Sequence, residues 1–221
     1  MDKVFVLSLF RTGTQSTQQF LEDLGYKTAH SGGELIDYWT LKSMSEKQAM
    51  SRLESIEDQF DAFTDMPYHS MFEYFDNKYP GSKFILITRD LDGWIKSVNK
   101  IYSFFENKEF NRFEEFVYKK YLKQIPKDRS ECTDEVLSEL YNSHIFAVSE
   151  YFSGRTDLLT LDLYDQDKET KIIDFLGITD IDLVNTKMKN IDFMKGVTPE
   201  VWQDYLDQID IESDFIKYLK L

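Results

Sequence analysis

Cysteine occurs once in this 221-residue sequence, at Cys132. One thiol excludes an intrachain disulfide and any zinc site built on cysteine. Histidine is scarce too, at His30, His69 and His144, which argues against a histidine-rich metal centre. With four prolines and nine glycines there is little linker material, and no internal repeat or low-complexity stretch interrupts the chain. A chain of this length is expected to form one domain, 1–221, with a core that needs no metal or disulfide.

Long hydrophobic runs are also missing. The longest, Val4 to Phe10, contains Ser8. It falls far short of the ~18 residues of a membrane span. The first residues carry no basic segment and no small-residue cleavage site, so no secretory signal is read and a cytoplasmic protein is the expectation. Positive charge is the third deficit. Lys plus Arg is 26 against 40 Asp plus Glu, a net charge of −14. That balance argues against nucleic acid or anionic membrane as a non-specific partner. The charge is uneven. Residues 89–129 hold 10 bases and 7 acids, a net of +3, whereas 162–221 hold 14 acids and 7 bases, a net of −7. An anion site is therefore sought at or near the basic stretch.

What is present is an alternation of short apolar runs and amphipathic segments. Val4–Leu7, Tyr26–His30, Ala62–Thr64, Lys83–Thr88 and Leu158–Leu161 have the length and β-branched or aromatic content of buried strands. Helical spacing marks Ser16–Leu24, Ser45–Phe60, Tyr68–Tyr79, Asp92–Phe105, Phe110–Tyr121, Thr133–Phe152 and Lys168–Leu176, with Gly25 and Gly177 as C-caps. A last helical region opens at Pro199. This order predicts an α/β fold: helices flanking a central, mainly parallel sheet of about five strands in three layers. The segment 101–155 reads as helical and 156–221 as the last core strand with C-terminal helices. In such sheets ligands bind beyond the carboxyl ends of the strands. The strand exits therefore carry the functional reading.

The first strand runs into Ser8-Leu9-Phe10-Arg11-Thr12-Gly13-Thr14-Gln15-Ser16-Thr17, and a helix follows. A small-polar loop at a helix N-terminus can cradle a phosphate with backbone amides, hydroxyls and the Arg11 charge. The bland alternative is a polar turn capping a helix. The Walker A pattern of nucleoside triphosphatases fails here. Aligned on Gly13, its first glycine is Ser8, its lysine is Thr14 and its metal-binding hydroxyl is Gln15. An ordinary ATPase or kinase is thus disfavoured.

The strand at 83–88 exits into Thr88-Arg89-Asp90, with Ser97 eight residues beyond Arg89 on the next helix. Arg89 offers a fork of donors to a phosphate dianion. The plainer reading is an N-cap by Asp90 or Asp92, with Arg89 in a surface ion pair. The third strand exits at Thr64-Asp65-Met66-Pro67. There a carboxylate can act as a general base, or simply cap the following helix.

Arg11-Thr12-Gly13-Thr14, the Arg89/Ser97 pair and Asp65 before Met66-Pro67, in this order and at these exits, resemble the sulfotransferases that use 3′-phosphoadenosine 5′-phosphosulfate (PAPS). The set is closest to their short, divergent bacterial members. Ile173-Asp174-Phe175-Leu176-Gly177 is similar to the helix after their last core strand, and Met194-Lys195-Gly196 faintly to a late 3′-phosphate segment. The resemblance implies a P-loop-like fold and sulfuryl transfer from PAPS to a hydroxyl acceptor, with no metal. It implies that Arg11, Thr12, Gly13, Thr14, Gln15 and Ser16 hold the 5′-phosphosulfate, and Arg89 and Ser97 the 3′-phosphate. Arg11 would stabilise leaving-group charge and Asp65 would be the base. The family's usual adenine-stacking aromatic is Ser16 here, and its usual lysine two before the base is Phe63. A divergent kinase or nucleotide hydrolase, and an inactive nucleotide-binding scaffold, are the alternatives. Glu34, His30 and His69 are lesser candidates for the base. His144 reads as a core residue and Cys132 as unreactive. The acceptor and the oligomeric state are not legible.

Overall fold

A computed structural model describes residues 3–30, 46–103, 112–122, 126–180 and 186–191. Five strands form one sheet: β1 (Val4–Val6), β2 (Thr28–His30), β3 (Ala62–Thr64), β4 (Lys83–Thr88) and β5 (Leu158–Asp162). Their order is β2-β3-β1-β4-β5, and every neighbouring pair is parallel. Around them lie α1 (Thr14–Asp23), α2 (Glu46–Glu57), α3 (Phe72–Lys78), α4 (Leu91–Tyr102), α5 (Arg112–Tyr121), α6 (Asp134–Tyr151) and α7 (Lys168–Leu176).

The pleat sorts the strand residues into two faces. Val4, Val6, Ile85 and Ile87 face one side, where Phe20 and Leu21 of α1 and Ile172 and Ile173 of α7 cover them. Phe5, Leu7, Phe84 and Leu86 face the other, against Leu53 of α2, Phe72 and Phe75 of α3, and Val148 of α6. Both faces are covered, so the strands read as unbroken apolar runs. Phe5 stacks on Phe63 at 5.0 Å and on Phe84 at 5.6 Å between ring centroids. Those two are its register partners on β3 and β4. A third apolar cluster joins Trp94, Val98 and Tyr102 of α4 to Val117 and Tyr121 of α5 and Leu137, Leu140 and Tyr141 of α6. Leu9, on the loop leaving β1, is buried in it.

The three-layer parallel architecture expected from the sequence is what forms. One expected helix differs. Tyr68–Tyr79 is not continuous: a 3₁₀ turn at Tyr68–Ser70 precedes α3. The Ser70 carbonyl is drawn out of a helical ladder by Lys120 Nζ, at 2.6 Å. The expected helix after Pro199 lies outside the described residues. So do Phe110 at the start of the 110–121 segment, Glu34, and Met194-Lys195-Gly196.

Two side chains fix the end of β1. Ser8 Oγ accepts the buried Ile87 N–H at 2.7 Å, continuing the β1–β4 ladder through a side chain. His144 Nε2 bonds the Leu7 carbonyl at 2.7 Å from α6. Ser8→Ala leaves the Ile87 amide buried without a partner. Urea unfolding is expected to show a loss of about 1–3 kcal/mol, and a loss near zero would contradict that role for Ser8.

Candidate active site

The chain leaves β1 toward β2 on one side and reaches β4 and β5 on the other. β1 therefore borders the switch point of the sheet, where a crevice opens at the carboxyl ends of the strands. The 8–17 loop fills this edge. Gly13 is the N-cap of α1, in the left-handed region at φ 87°, with no side chain capping the helix. A Cβ there would come within 2.7 Å of Leu163 Cδ1 on the segment after β5. The φ is one that glycine adopts without strain, and any side chain there would have to displace the Leu163 methyl. Without a capping side chain, the first amides of α1 stay available to an anion.

The loop hydroxyls are mostly engaged within the protein. Thr12, buried, donates to the Leu9 carbonyl at 2.5 Å and shapes the turn. Thr17 donates to the Gly13 carbonyl at 3.0 Å. Thr14 Oγ1 donates to Asp65 Oδ2 at 3.1 Å. Ser16 Oγ accepts the Ile191 N–H at 3.0 Å. Gln15 is half-buried on the first turn. Ser16 is thus a docking point for residues 186–191, which fits the absence of an aromatic there.

Arg11 also has positive φ, 67°. Its Nε donates to Ser97 Oγ at 3.0 Å. Arg89 Nη1 donates to the Arg11 carbonyl at 3.1 Å. Arg11 therefore links the exits of β1 and β4: its side chain reaches Ser97 of α4 and its backbone carbonyl takes the Arg89 guanidinium. Among the described residues Arg89 Nε, which is buried, has no hydrogen-bond partner. No carboxylate among the described residues pairs with Arg89. The cap reading holds alongside: Asp90 accepts from Gly93 N at 2.5 Å and starts α4.

Nothing in the sequence marks how Arg89 is held. Tyr141 of α6 grips its backbone on both sides. The Arg89 N–H donates to Tyr141 Oη at 2.8 Å, and that hydroxyl donates to the Arg89 carbonyl at 2.6 Å. Trp94 Nε1 likewise holds the Phe10 carbonyl at 2.8 Å. Both residues look like ordinary core aromatics at helical spacing, so no local signal marks them. The exit of β5 takes part as well, without a polar motif to announce it: it supplies Leu163 against Gly13. Tyr164 beside it is 57% exposed, an uncommon state for a large aromatic.

Asp65 sits at the third exit with φ 71°. Positive φ in a non-glycine residue is uncommon and clusters at functional sites. Its carboxylate does not cap the next turn. Oδ1 takes the Met66 N–H at 2.8 Å, and Oδ2 takes Thr14. His30 Nε2, from the end of β2, stands 3.6 Å from the same Oδ2. The other ring nitrogen of His30 bonds Thr64 Oγ1 at 2.6 Å. Phe63, two before Asp65, is wholly core.

His69 and His144 are fully buried, with rings edge-to-face at 5.6 Å; the His69 backbone N–H donates to the Asp65 carbonyl at 3.2 Å. Burial holds both imidazoles neutral. His69 is pushed well below its ordinary value and His144 down to about 4, with Lys120 adding repulsion in each case. Cys132 is buried against the Tyr118 hydroxyl at 3.1 Å. Among the described residues no group of three His, Cys, Asp or Glu could hold a metal ion, and no helix is long and apolar enough to cross a membrane.

Five parallel strands with an uncapped helix at the switch point define a class: α/β proteins that receive ligands at the carboxyl edge of the sheet. A family model described as a sulfotransferase domain matches residues 3–180, so the chain belongs to the sulfotransferase family. No curated protein matches the chain by sequence. Among solved structures it is similar to a sulfotransferase from Alicyclobacillus acidocaldarius. That likeness has 14% identity over 93% of this chain and 90% of that one, with a TM-score of 0.53. It is also similar to mouse sulfotransferase SULT7A1 complexed with PAP, at 15% identity over 99% and 88% of the two chains and a TM-score of 0.50. At such identities the likeness concerns the fold.

Proposed function

We propose that this chain transfers a sulfuryl group from PAPS to a hydroxyl acceptor. The observation that carries the reading is the chain of bonds from Ser97 through Arg11 to Arg89, next to the uncapped start of α1. The orphaned Arg89 Nε suits an anion, because a buried donor without a partner is costly. PAPS supplies a sulfuryl group on a phosphate leaving group, flagged by a second phosphate at the 3′ position.

Each residue then has a defined task. Arg89 and Ser97 hold the 3′-phosphate, which separates this donor from ATP. The amides of Thr14, Gln15 and Ser16 and the Arg11 guanidinium neutralise charge that develops on the leaving phosphate. Thr12 and Gly13 keep the loop in the shape that aims those amides. Asp65 takes the proton as the acceptor's O–H bond breaks and its oxygen bonds to sulfur. No metal is assigned a part. The helices α5 and α6 wall the acceptor side of one domain, and the single buried thiol and the acidic composition suit the cytoplasm.

The test is 3′,5′-adenosine bisphosphate, the desulfated product, added during thermal or urea unfolding. At 100 times its dissociation constant the bisphosphate is expected to add about 2.7 kcal/mol. A shift with Mg-ATP and none with the bisphosphate would overturn the proposal.

A further inference from the structure

Thr14 is claimed by two partners. It is the first residue of α1, where the proposed 5′-phosphate would lie. Yet its hydroxyl is donated to Asp65 Oδ2, at 3.1 Å, on a different strand exit. A hydroxyl has one proton to donate. It serves the carboxylate or the phosphate, not both. We infer that Thr14 couples donor binding to the base: with the loop empty its proton occupies Asp65 Oδ2, and with the loop filled it turns to the phosphate and frees that oxygen for the acceptor hydroxyl. This rests on the sulfotransferase reading of the site and adds to it an order of events.

The surroundings let the swap happen without losing Asp65. The Met66 amide holds Oδ1 at 2.8 Å whichever way Thr14 points. His30 stands beside the other oxygen, its Nε2 3.6 Å from Oδ2. Thr64 Oγ1 is fully buried, and its hydrogen-bond partner among the described residues is His30 Nδ1. A buried hydroxyl proton needs an acceptor, so Thr64 donates to Nδ1. With Nδ1 accepting, the ring N–H is Nε2, which faces Oδ2 at 3.6 Å. Asp65 thus keeps the Met66 amide on Oδ1, with the His30 ring beside Oδ2, when Thr14 leaves. The carboxylate stays aimed, and the position Thr14 held opens to the acceptor.

One consequence is kinetic. Before the donor is seated, Thr14 competes with the acceptor hydroxyl for Oδ2, so the acceptor is deprotonated only in the ternary complex. The other consequence is a non-additivity that needs no acceptor to measure. Seating a phosphate in the native chain requires the Thr14–Asp65 bond to break, which masks part of what the hydroxyl contributes. Removing the carboxylate unmasks it.

The experiment is a double-mutant cycle read by calorimetric affinity for 3′,5′-adenosine bisphosphate. Asp65→Gly removes the carboxylate at a φ that glycine adopts freely, and Asp65→Asn serves as a second background that removes only the charge. Thr14→Val is expected to weaken binding about 3-fold in the native background and at least 10-fold in Asp65→Gly, with Asp65→Asn between the two. Thr14→Ser, which keeps the hydroxyl, is expected to bind like the native chain. The same factor for Thr14→Val in all three backgrounds would overturn the coupling while leaving the sulfotransferase reading intact. Failure of the bisphosphate to bind the native chain would overturn that reading, and the coupling with it.

Discussion

Arg89→Ala is expected to cut affinity for 3′,5′-adenosine bisphosphate by at least 100-fold while changing affinity for adenosine 5′-monophosphate only a few-fold. Truncating one partner of a buried, charge-assisted pair typically costs about 2–5 kcal/mol. That range spans roughly 30-fold to several thousand-fold at 1.4 kcal/mol per decade. The large end is appropriate here for two reasons. Arg89 Nε is already buried, with no partner among the described residues, so its desolvation precedes ligand binding. Its backbone is clamped by the Tyr141 hydroxyl, so little ordering remains to be done. The monophosphate control isolates the 3′-phosphate, because the proposed binding mode leaves the 5′-phosphate to Arg11 and the α1 amides. A small loss of monophosphate affinity is expected through the bond from Arg89 Nη1 to the Arg11 carbonyl. Equal losses for both nucleotides would mean that Arg89 only supports the loop. Arg89→Lys should recover part of the affinity, since an ammonium keeps the charge but not the fork.

The second large effect is on acid stability. His69 and His144 are both buried and both held neutral, with pKa values below that of an exposed imidazole. In the unfolded chain each takes up a proton near pH 6.5. In the folded chain His144 does so only near 4, and His69 well below its ordinary value. Below pH 6.5 the unfolded state therefore binds more protons, and stability falls as pH falls. The stabilisation is fully present above that value. For His144 alone, the fall from 6.5 to about 4 amounts to roughly 3 kcal/mol at 1.36 kcal/mol per unit. Lys120 faces both rings electrostatically, and it is itself paired with Glu73. Between pH 6.5 and 5 few ordinary carboxylates titrate, so this window belongs mainly to the histidines. Urea midpoints at pH 7, 6 and 5 should fall steadily. His144→Gln keeps an N–H for the Leu7 carbonyl and removes one titration, so the slope should drop by about half. A slope unchanged in His144→Gln would show that the histidines are not its source.

Much of the fold is legible in the sequence because its signals are local. Helix–strand ambiguity does not arise where a run is as plain as Phe84-Ile85-Leu86-Ile87, bounded by Pro80-Gly81 and Asp90. The helix Lys168–Leu176 and its Gly177 cap are readable from spacing and one glycine, which adopts φ 72°. The break at Ser70 is not, because its cause is Lys120, 50 residues away. In the site, Arg11, Asp65, Arg89 and Ser97 stand out by residue type and strand exit. The grip of Tyr141 on Arg89, and the contact of Leu163 with Gly13, involve residues that look like ordinary core.

The sequence by itself determined the alternation of strands and helices, the three strand exits that bear polar residues, and the failure of the Walker pattern. Periodicity, turn residues and motif spacing are properties of neighbours along the chain, so no folding is needed to read them. Only the tertiary structure decided which hydroxyl serves which partner. Thr12, Thr14, Ser16 and Thr17 are four similar groups in one loop, yet they bond Leu9, Asp65, Ile191 and Gly13 respectively. A hydrogen bond depends on distances of a few tenths of an ångström and on direction. Two of these partners, Asp65 and Ile191, are 51 and 175 residues away in the chain. The parallel order of β3, β1 and β4 brings Asp65 and Arg89 to the same edge as the loop, and no property of a local segment encodes that meeting.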